Sequence, residues 1–581
     1  MPFTKPLWVP ELPFHLPDDI DVYDFMFDER YGRQPLILSR PPFVSGLTGK
    51  SYTAFEVKNR IEHLAGGLSK ELTWKPNEGS EWDKVVGLFA ENSIDYMTVV
   101  WAIHRLGGIV TPANITYSAS ELTYQLKSSK SRCLFTSAQW IETAEVAAEA
   151  VGITKDNIFV LESPGLPAPQ QFKTIEQLIV QGVNSETLGT LTLRRGESAQ
   201  RVSFLCYSSG TSGLPKGVMI THQNVVSSVL QMCTFQSRSR RERAAREGRS
   251  DTSEVALGLL PLSHIYGLIV IAHGGVYRGD ATVVLSKFEP DSYLKAIETY
   301  KINQLFVVPP IVVFMVNHKT LLDKHDLNSV TGVFTGAAPL GREVAETLQN
   351  LYPSWIIAQG YGLTETCALV CASAAHDIWF GSSGSLLPSF KARLIAPNGT
   401  EITEYDEPGE LWVKAPAVAL GYLNDSRATL ETFIDGYMRT GDEVIIRKHP
   451  ASGHEHLFIV DRMKELIKVN GFQVAPAELE AHLLTHPAVY DCAVIQVHAP
   501  RVGEVPKAFV VKSSSIHPGC SDESTARDIQ KHVEDHKARH KWLKGGVEFI
   551  DVIPKSPSGK ILRRMLRDRE KGAKGKLGAK M

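Results

Sequence analysis

Short apolar runs recur along the chain, separated by stretches whose apolar positions fall at helical spacing. Residues 85–89, 109–110, 133–136, 158–161, 202–206 and 332–334 read as buried strands. Between them, Ser51-Tyr52-Thr53 can cap a helix running to about Lys70. Glu91-Asn92-Ser93 is expected to start a helix through Arg105, residues 118–127 form another, a short one lies within 19–30, and one opens near His222. Strands alternating with helices predict an α/β fold with mainly parallel, doubly wound sheets. The alternation is expected to continue to about Ile459. Past the polar Asp461-Arg462-Met463-Lys464, a tail shows strand–helix alternation of its own at 478–484, 489–497, 507–511 and 525–540. This predicts a large N-terminal domain of several subdomains, residues 1–462, and a small α+β C-terminal domain, residues 463–581.

A length of 581 residues exceeds what one ordinary core holds. Apolar and charged contents of 43% and 22% are those of a globular protein. The net charge of −2 gives no electrostatic reason to expect nucleic acid or an anionic membrane as partner. Seven scattered cysteines without a C-x-x-C pair read as reduced, buried thiols of an intracellular protein. The first residues lack the basic start and apolar core of a signal peptide. The longest apolar region, 265–277, is too short for a membrane span and carries His273 and glycines. An arginine-rich stretch, 236–254, is expected to be a solvated excursion between a helix and the next strand, because Glu242 and Glu247 interleave it and no aromatic does.

Candidate chemistry concentrates in Tyr207-Ser208-Ser209-Gly210-Thr211-Ser212-Gly213-Leu214-Pro215-Lys216-Gly217. Glycines let backbone N–H groups approach an anion, hydroxyls donate further hydrogen bonds, and Lys216 adds a charge. The string suits a polyphosphate but lacks Walker spacing; alone, it also fits a polar turn. Further blocks follow in order: 260–267 with His264 and Tyr266; Thr335-Gly336-Ala337-Ala338-Pro339-Leu340-Gly341, whose small side chains leave room for a flat ring; and Gln359-Gly360-Tyr361-Gly362-Leu363-Thr364-Glu365-Thr366. In the last, Tyr361 offers a stacking face, Thr364 a hydroxyl and Glu365 a hard oxygen ligand for Mg²⁺. Asp442, closing Tyr437-Met438-Arg439-Thr440-Gly441-Asp442, is a bidentate acceptor suited to paired hydroxyls. Near the C-terminus stands Pro554-Lys555-Ser556-Pro557-Ser558-Gly559-Lys560.

In this combination and order the blocks resemble the adenylate-forming superfamily, in particular the enzymes similar to 4-coumarate-CoA ligase and the fungal aryl- and acyl-CoA ligases. The resemblance spans roughly residues 30–570 and implies an ATP-dependent acid–CoA ligase, which makes an acyl-adenylate and pyrophosphate and then a CoA thioester and AMP. It implies ATP, Mg²⁺ and CoA as cofactors and co-substrate, with an aryl or medium-chain acid as substrate. It assigns Ser208, Ser209, Gly210, Thr211, Ser212, Gly213 and Lys216 to the phosphates. Ala337, Ala338, Pro339, Gly360, Tyr361 and Gly362 fall to the adenine, and Asp442 and Arg462 to the ribose. Lys560, His264 and Thr364 are implied in adenylation, and Glu365 in holding the metal. Lys464 is implied as the hinge, with Lys468 and Gln473 serving thioester formation after the tail rotates. Gly336, Tyr266, Cys367, Leu369 and Val370 are implied to line the acid pocket. Thr366-Cys367-Ala368-Leu369-Val370 departs from the plant coumarate ligases, which argues against coumarate itself.

Three other readings stay open on the sequence: an adenylating enzyme that loads a carrier protein, a luciferase-like oxygenase, and a non-catalytic acid-binding relative. The final Ala579-Lys580-Met581, after Lys571, Lys574 and Lys576, resembles a peroxisomal address and implies an import receptor as partner. The alternatives are a disordered basic tail and a cytoplasmic location.

Overall fold

The computed structural model describes residues 2–208, 215–469, 472–499, 503–513, 521–556 and 559–578. It is a mixed α/β protein with four sheets among these residues. The first is parallel in the order Lys173–Thr174, Ile158–Leu161, Cys133–Ser137, Val85–Phe89, Ile109–Pro112, Val202–Ser208, with Lys216–Thr221 added antiparallel at one edge. The second runs parallel from Phe43–Ser45 through Ala281–Val284, Val255–Gly258, Gln304–Val307 and Gly332–Thr335 to Ile356–Leu363. Helices between these strands bury apolar faces against them in a common core that includes Trp101, Phe204 and Tyr293.

Local signals explain the boundaries. Thr53 and Ser118 each cap a helix through a reciprocal pairing with the glutamate three residues on, Glu56 and Glu121. The helix expected from Glu91 begins instead at Tyr96. Asn92 explains the delay: its amide donates to the carbonyl of Leu260 (2.9 Å) and its Oδ1 accepts from the Leu262 N–H (2.8 Å). The segment is held out of the helix because it pins the loop that leads to His264.

Two expectations are corrected. The α/β alternation ends at Leu363 rather than near 459. Beyond it the chain turns back at Ala368 and then builds a seven-stranded antiparallel sheet from Lys391–Ile395, Pro408–Lys414, Tyr437–Lys448, Glu455–Arg462 and shorter strands. Its connections carry no crossover helix, which parallel pairing would need. The arginine-rich stretch is only in part a solvated excursion: Arg238, Arg241, Glu242, Arg246 and Glu247 are exposed. It continues one helix, His222–Arg246, whose Arg240 and Arg243 are buried. Glu254 accepts from Arg240 (2.8 Å) and Arg243 (2.7 Å), and Asp280 pairs with Arg240 and with Arg278 (2.9 Å). These buried charges close a helix-to-sheet joint, while Arg238, Arg241 and Arg246 face solvent.

The fourth sheet, in the tail, joins Phe472–Val474, Ile467–Val469, Gly503–Lys512 and Val489–Ala499, with Val547–Phe549 parallel beside Gly503–Lys512. Two small apolar clusters of its own pack against Pro476–Leu483, Asp522–His536 and the helix beginning at Arg563. The six cysteines among the described residues are free. No helix among those residues is long and apolar enough to cross a membrane.

Candidate active site

A cavity of about 890 Å³ opens where the two parallel sheets, the antiparallel sheet and the tail meet. The hairpin Val202–Ser208/Lys216–Thr221 brings Ser208 and Lys216 to it in paired register. Ser209, Gly210, Thr211, Ser212 and Gly213 lie outside the described residues. Lys216 pairs with Asp425 (3.2 Å) and sits over the Tyr422 ring (5.0 Å).

Opposite this edge, the second sheet ends in the 359–366 block. Gly362 allows the return hairpin: a β-carbon there would lie 1.6 Å from the Ala368 carbonyl oxygen. The turn that follows holds Cys367 (φ 51°) and Ala368 (φ 89°) in left-handed backbone, and Ala337 (φ 68°) on the neighbouring wall is strained likewise. These turns aim Thr364 and Glu365 into the cavity. Glu365 Oε1 accepts from the Ser208 hydroxyl (3.2 Å) and the Tyr422 hydroxyl (3.0 Å). Its Oε2 has no hydrogen-bond partner among the described residues. A hard carboxylate oxygen beside the phosphate hairpin fits a divalent cation shared with phosphates.

Tyr361 donates to Asp442 Oδ2 (2.5 Å), and Arg462 Nε lies 3.4 Å from Asp442 Oδ1. Burial pushes the Asp442 carboxyl up, while Arg462, the Tyr361 hydroxyl and Lys560 oppose it. His264 lines the cavity, and burial, with Lys560 nearby, pulls it down to about 4. It is therefore neutral, and because Nδ1 accepts the Tyr266 N–H (3.3 Å), its proton sits on Nε2 as a donor.

Lys560 enters from the tail. Gly559 takes left-handed backbone (φ 79°), and a β-carbon there would meet Val308 of the large domain at 3.0 Å, so the loop can press close only through a glycine. Burial, then the Arg462 guanidinium, pulls the Lys560 ammonium down to about 8, against Glu465, Asp442 and Glu365. It forms no ion pair among the described residues.

Other predicted residues fall elsewhere. Tyr266, Cys367, Leu369 and Val370 are buried in the core and do not line the cavity. The Tyr266 hydroxyl is spent on the Phe334 carbonyl (2.9 Å), and Gly336 packs against its ring. Ala338, Pro339 and Gly360 do not line the cavity, unlike their neighbour Ala337. Lys464 lines the cavity edge, whereas Lys468 and Gln473, paired across one hairpin, are exposed and away from it. Tyr422 is a further site residue that no local sequence pattern marks, since its role comes from reaching Glu365 across 57 positions.

The sequence matches the AMP-binding enzyme family over residues 36–423 and the AMP-binding enzyme C-terminal domain over residues 478–560. The chain belongs to the AMP-binding enzyme family. Among relatives of this AMP-binding enzyme, the acyl-CoA ligase easD of Emericella nidulans is 40% identical over 573 residues, covering 98% of this chain and 100% of the relative. The acyl-CoA ligase AFT1-1 of Alternaria alternata is 39% identical, covering 98% and 97%. An anthranilate CoA ligase crystallised with anthranoyl-AMP shares the fold, with a TM-score of 0.78 at 23% identity over 95% of this chain and 98% of that one.

Proposed function

We infer that this AMP-binding enzyme couples an aryl or medium-chain carboxylic acid to coenzyme A with ATP. The enzyme is an adenylate-forming acid–CoA ligase. The observation that carries the reading is the half-buried Lys560 ammonium, without an ion pair among the described residues, whose charge acts on His264, Asp442 and Arg462. An acid attacking a phosphate brings two anions together, and fixed positive charge offsets that repulsion where it grows. His264 offers its Nε2–H to the acid, Ser208 and Lys216 hold phosphate oxygens, and Asp442 with Arg462 receives the ribose. Glu365 would hold Mg²⁺, which neutralises phosphate charge when bound. Lys468 and Gln473, turned outward here, serve the thiol step after the tail rotates about Lys464.

The test is pyrophosphate release with ATP, Mg²⁺ and a panel of aryl and C6–C18 acids, with and without CoA. Release on one acid class together with a CoA thioester is expected. Release without CoA consumption would replace this reading with carrier loading.

The C-terminal Ala579-Lys580-Met581 lies outside the described residues. We propose that an import receptor reads it as a peroxisomal address. A fluorescent protein fused ahead of the last twelve residues should collect in peroxisomes, and removal of the final three should leave it in the cytosol. Diffuse fluorescence of the intact fusion would refute the address.

A further inference from the structure

A second cluster of metal-ligating side chains lies in the tail, outside the cavity. His482 ends the helix Pro476–Leu483, and His532 and His536 are one turn apart on Asp522–His536. Each offers one ligand atom, and these atoms all lie within 4.8 Å of one another. The rings of His482 and His532 stack in parallel at 4.2 Å, and His536 stands 5.3 Å and 5.1 Å from them. Two histidines four residues apart on one helix face, met by a third from a neighbouring helix, is the arrangement in which helices share an ion.

The hydrogen bonds around the rings suit that use. The His532 carbonyl accepts from His482 Nε2 (3.2 Å) and from His536 Nδ1 (2.9 Å). Thr485 Oγ1 donates to the His482 carbonyl (2.7 Å), so it can only accept from His532 Nε2 (3.0 Å). Each ring thus has one nitrogen committed as donor and the other left with a lone pair. Metal-binding imidazoles are oriented in this way, by a second nitrogen on a carbonyl or a hydroxyl. Imidazole ligands at about 2.0–2.1 Å from a tetrahedral ion stand roughly 3.3 Å apart. Closing to that spacing requires at least one of the parallel His482 and His532 rings to rotate out of the stack, so that their in-plane lone pairs converge. His482 and His532 are half-buried and His536 is exposed, which leaves an entry path and room for water as a fourth ligand. Nearby, Lys537 is taken up by Glu478 (3.2 Å), and Asp528 engages His486 (3.3 Å).

We propose that His482, His532 and His536 form a binding site for a divalent transition metal of the zinc class, clamping the two tail helices together. The site is separate from the nucleotide cavity, and its ligand set of imidazoles alone favours zinc, nickel or copper over magnesium.

The test uses the full-length chain stripped with chelator, in excess Mg²⁺ to occupy carboxylate sites, and probed with ZnCl₂ and CoCl₂. The chain is expected to retain one zinc ion more than its His532→Ala variant, to show visible Co²⁺ bands that the variant lacks, and to melt at a higher temperature with zinc. His536→Ala, at an exposed position that tolerates the change in folding, should weaken zinc binding about tenfold or more. Pyrophosphate release should be unchanged in His536→Ala without zinc. Zinc uptake equal in the chain and in His536→Ala, or no uptake by the chain, would overturn the proposal.

Discussion

Lys560→Ala is expected to slow acyl-adenylate formation by about 10²–10³-fold, the scale of losing one fixed charge-stabilising group at a growing anion. The loss should fall on pyrophosphate release. Conversion of presynthesised acyl-adenylate and CoA to thioester should survive within a few-fold, because Lys468 and Gln473 are exposed and lie outside the cavity that Lys560 lines. A pH signature follows from the same burial. The ammonium is the working form, and burial with Arg462 has brought it down from its ordinary value to about 8. Adenylation should therefore decline as pH rises through about 8. Lys560→Arg, which keeps its charge at any such pH, should lose that decline even where its rate is lower. Initial rates of pyrophosphate release between pH 6 and 10 would decide the matter. A Lys560→Ala variant that adenylates at the original rate would remove the lysine from the chemistry.

Arg563→Ala is expected to destabilise the tail by about 3–5 kcal/mol, the cost of stranding buried charges. Arg563 is buried and donates to Glu465 (2.7 Å), to both oxygens of Glu480 (2.8 and 2.7 Å) and to the Val494 carbonyl (3.2 Å). Burial alone would lower the guanidinium, but Glu480, Glu465 and Asp461 outweigh it and hold the charge in place. Removal leaves two buried carboxylates without a counter-ion, next to the loop that delivers Lys560. Denaturant unfolding followed by Trp542 fluorescence in the tail and at the other tryptophans should show the tail transition move while that of the large domain stays. The sign of the pH effect is fixed as well. Glu480 is already pushed up by burial, and losing Arg563 raises it further above its unfolded value. Its protonated form is the one the variant's fold accepts, so the deficit should shrink as pH falls toward 5 and be fullest near neutrality. A tail as stable in Arg563→Ala as in the original chain would show the network to be dispensable.

Much of this was legible in the sequence because it is local. The cap at Thr53 and the strand before Ser208 act through neighbours within a few positions. The blocks around His264, Thr364, Asp442 and Lys560 could be read because residue type and order carried the resemblance. What escaped was long-range. Arg240 looks like a surface charge until Glu254 and Asp280 are folded against it. The antiparallel sheet after Leu363 was hidden because its strands, such as Pro408–Lys414, mix buried and exposed positions without a run long enough to set direction. Tyr266, Leu369 and Val370 were placed in a pocket because apolar residues near a site fit a pocket and a core equally well on sequence alone.

The seat between tail and large domain is shaped by what it lacks. At one edge Gly341 faces Ala481, where even a methyl on residue 341 would stand 3.0 Å from the alanine's. At another, the Asp461 carboxylate accepts a single backbone N–H from Ala477 (3.0 Å). No large apolar side chain interlocks at either point, so parting the surfaces there uncovers little apolar area and exchanges for water the Ala477 hydrogen bond and the attraction between Asp461 and Arg563. Such a joint works like a bearing rather than a weld. It can open and reseat at every turnover without repacking a core, and its smooth faces put a limit on side-chain size that acts on speed rather than on folding.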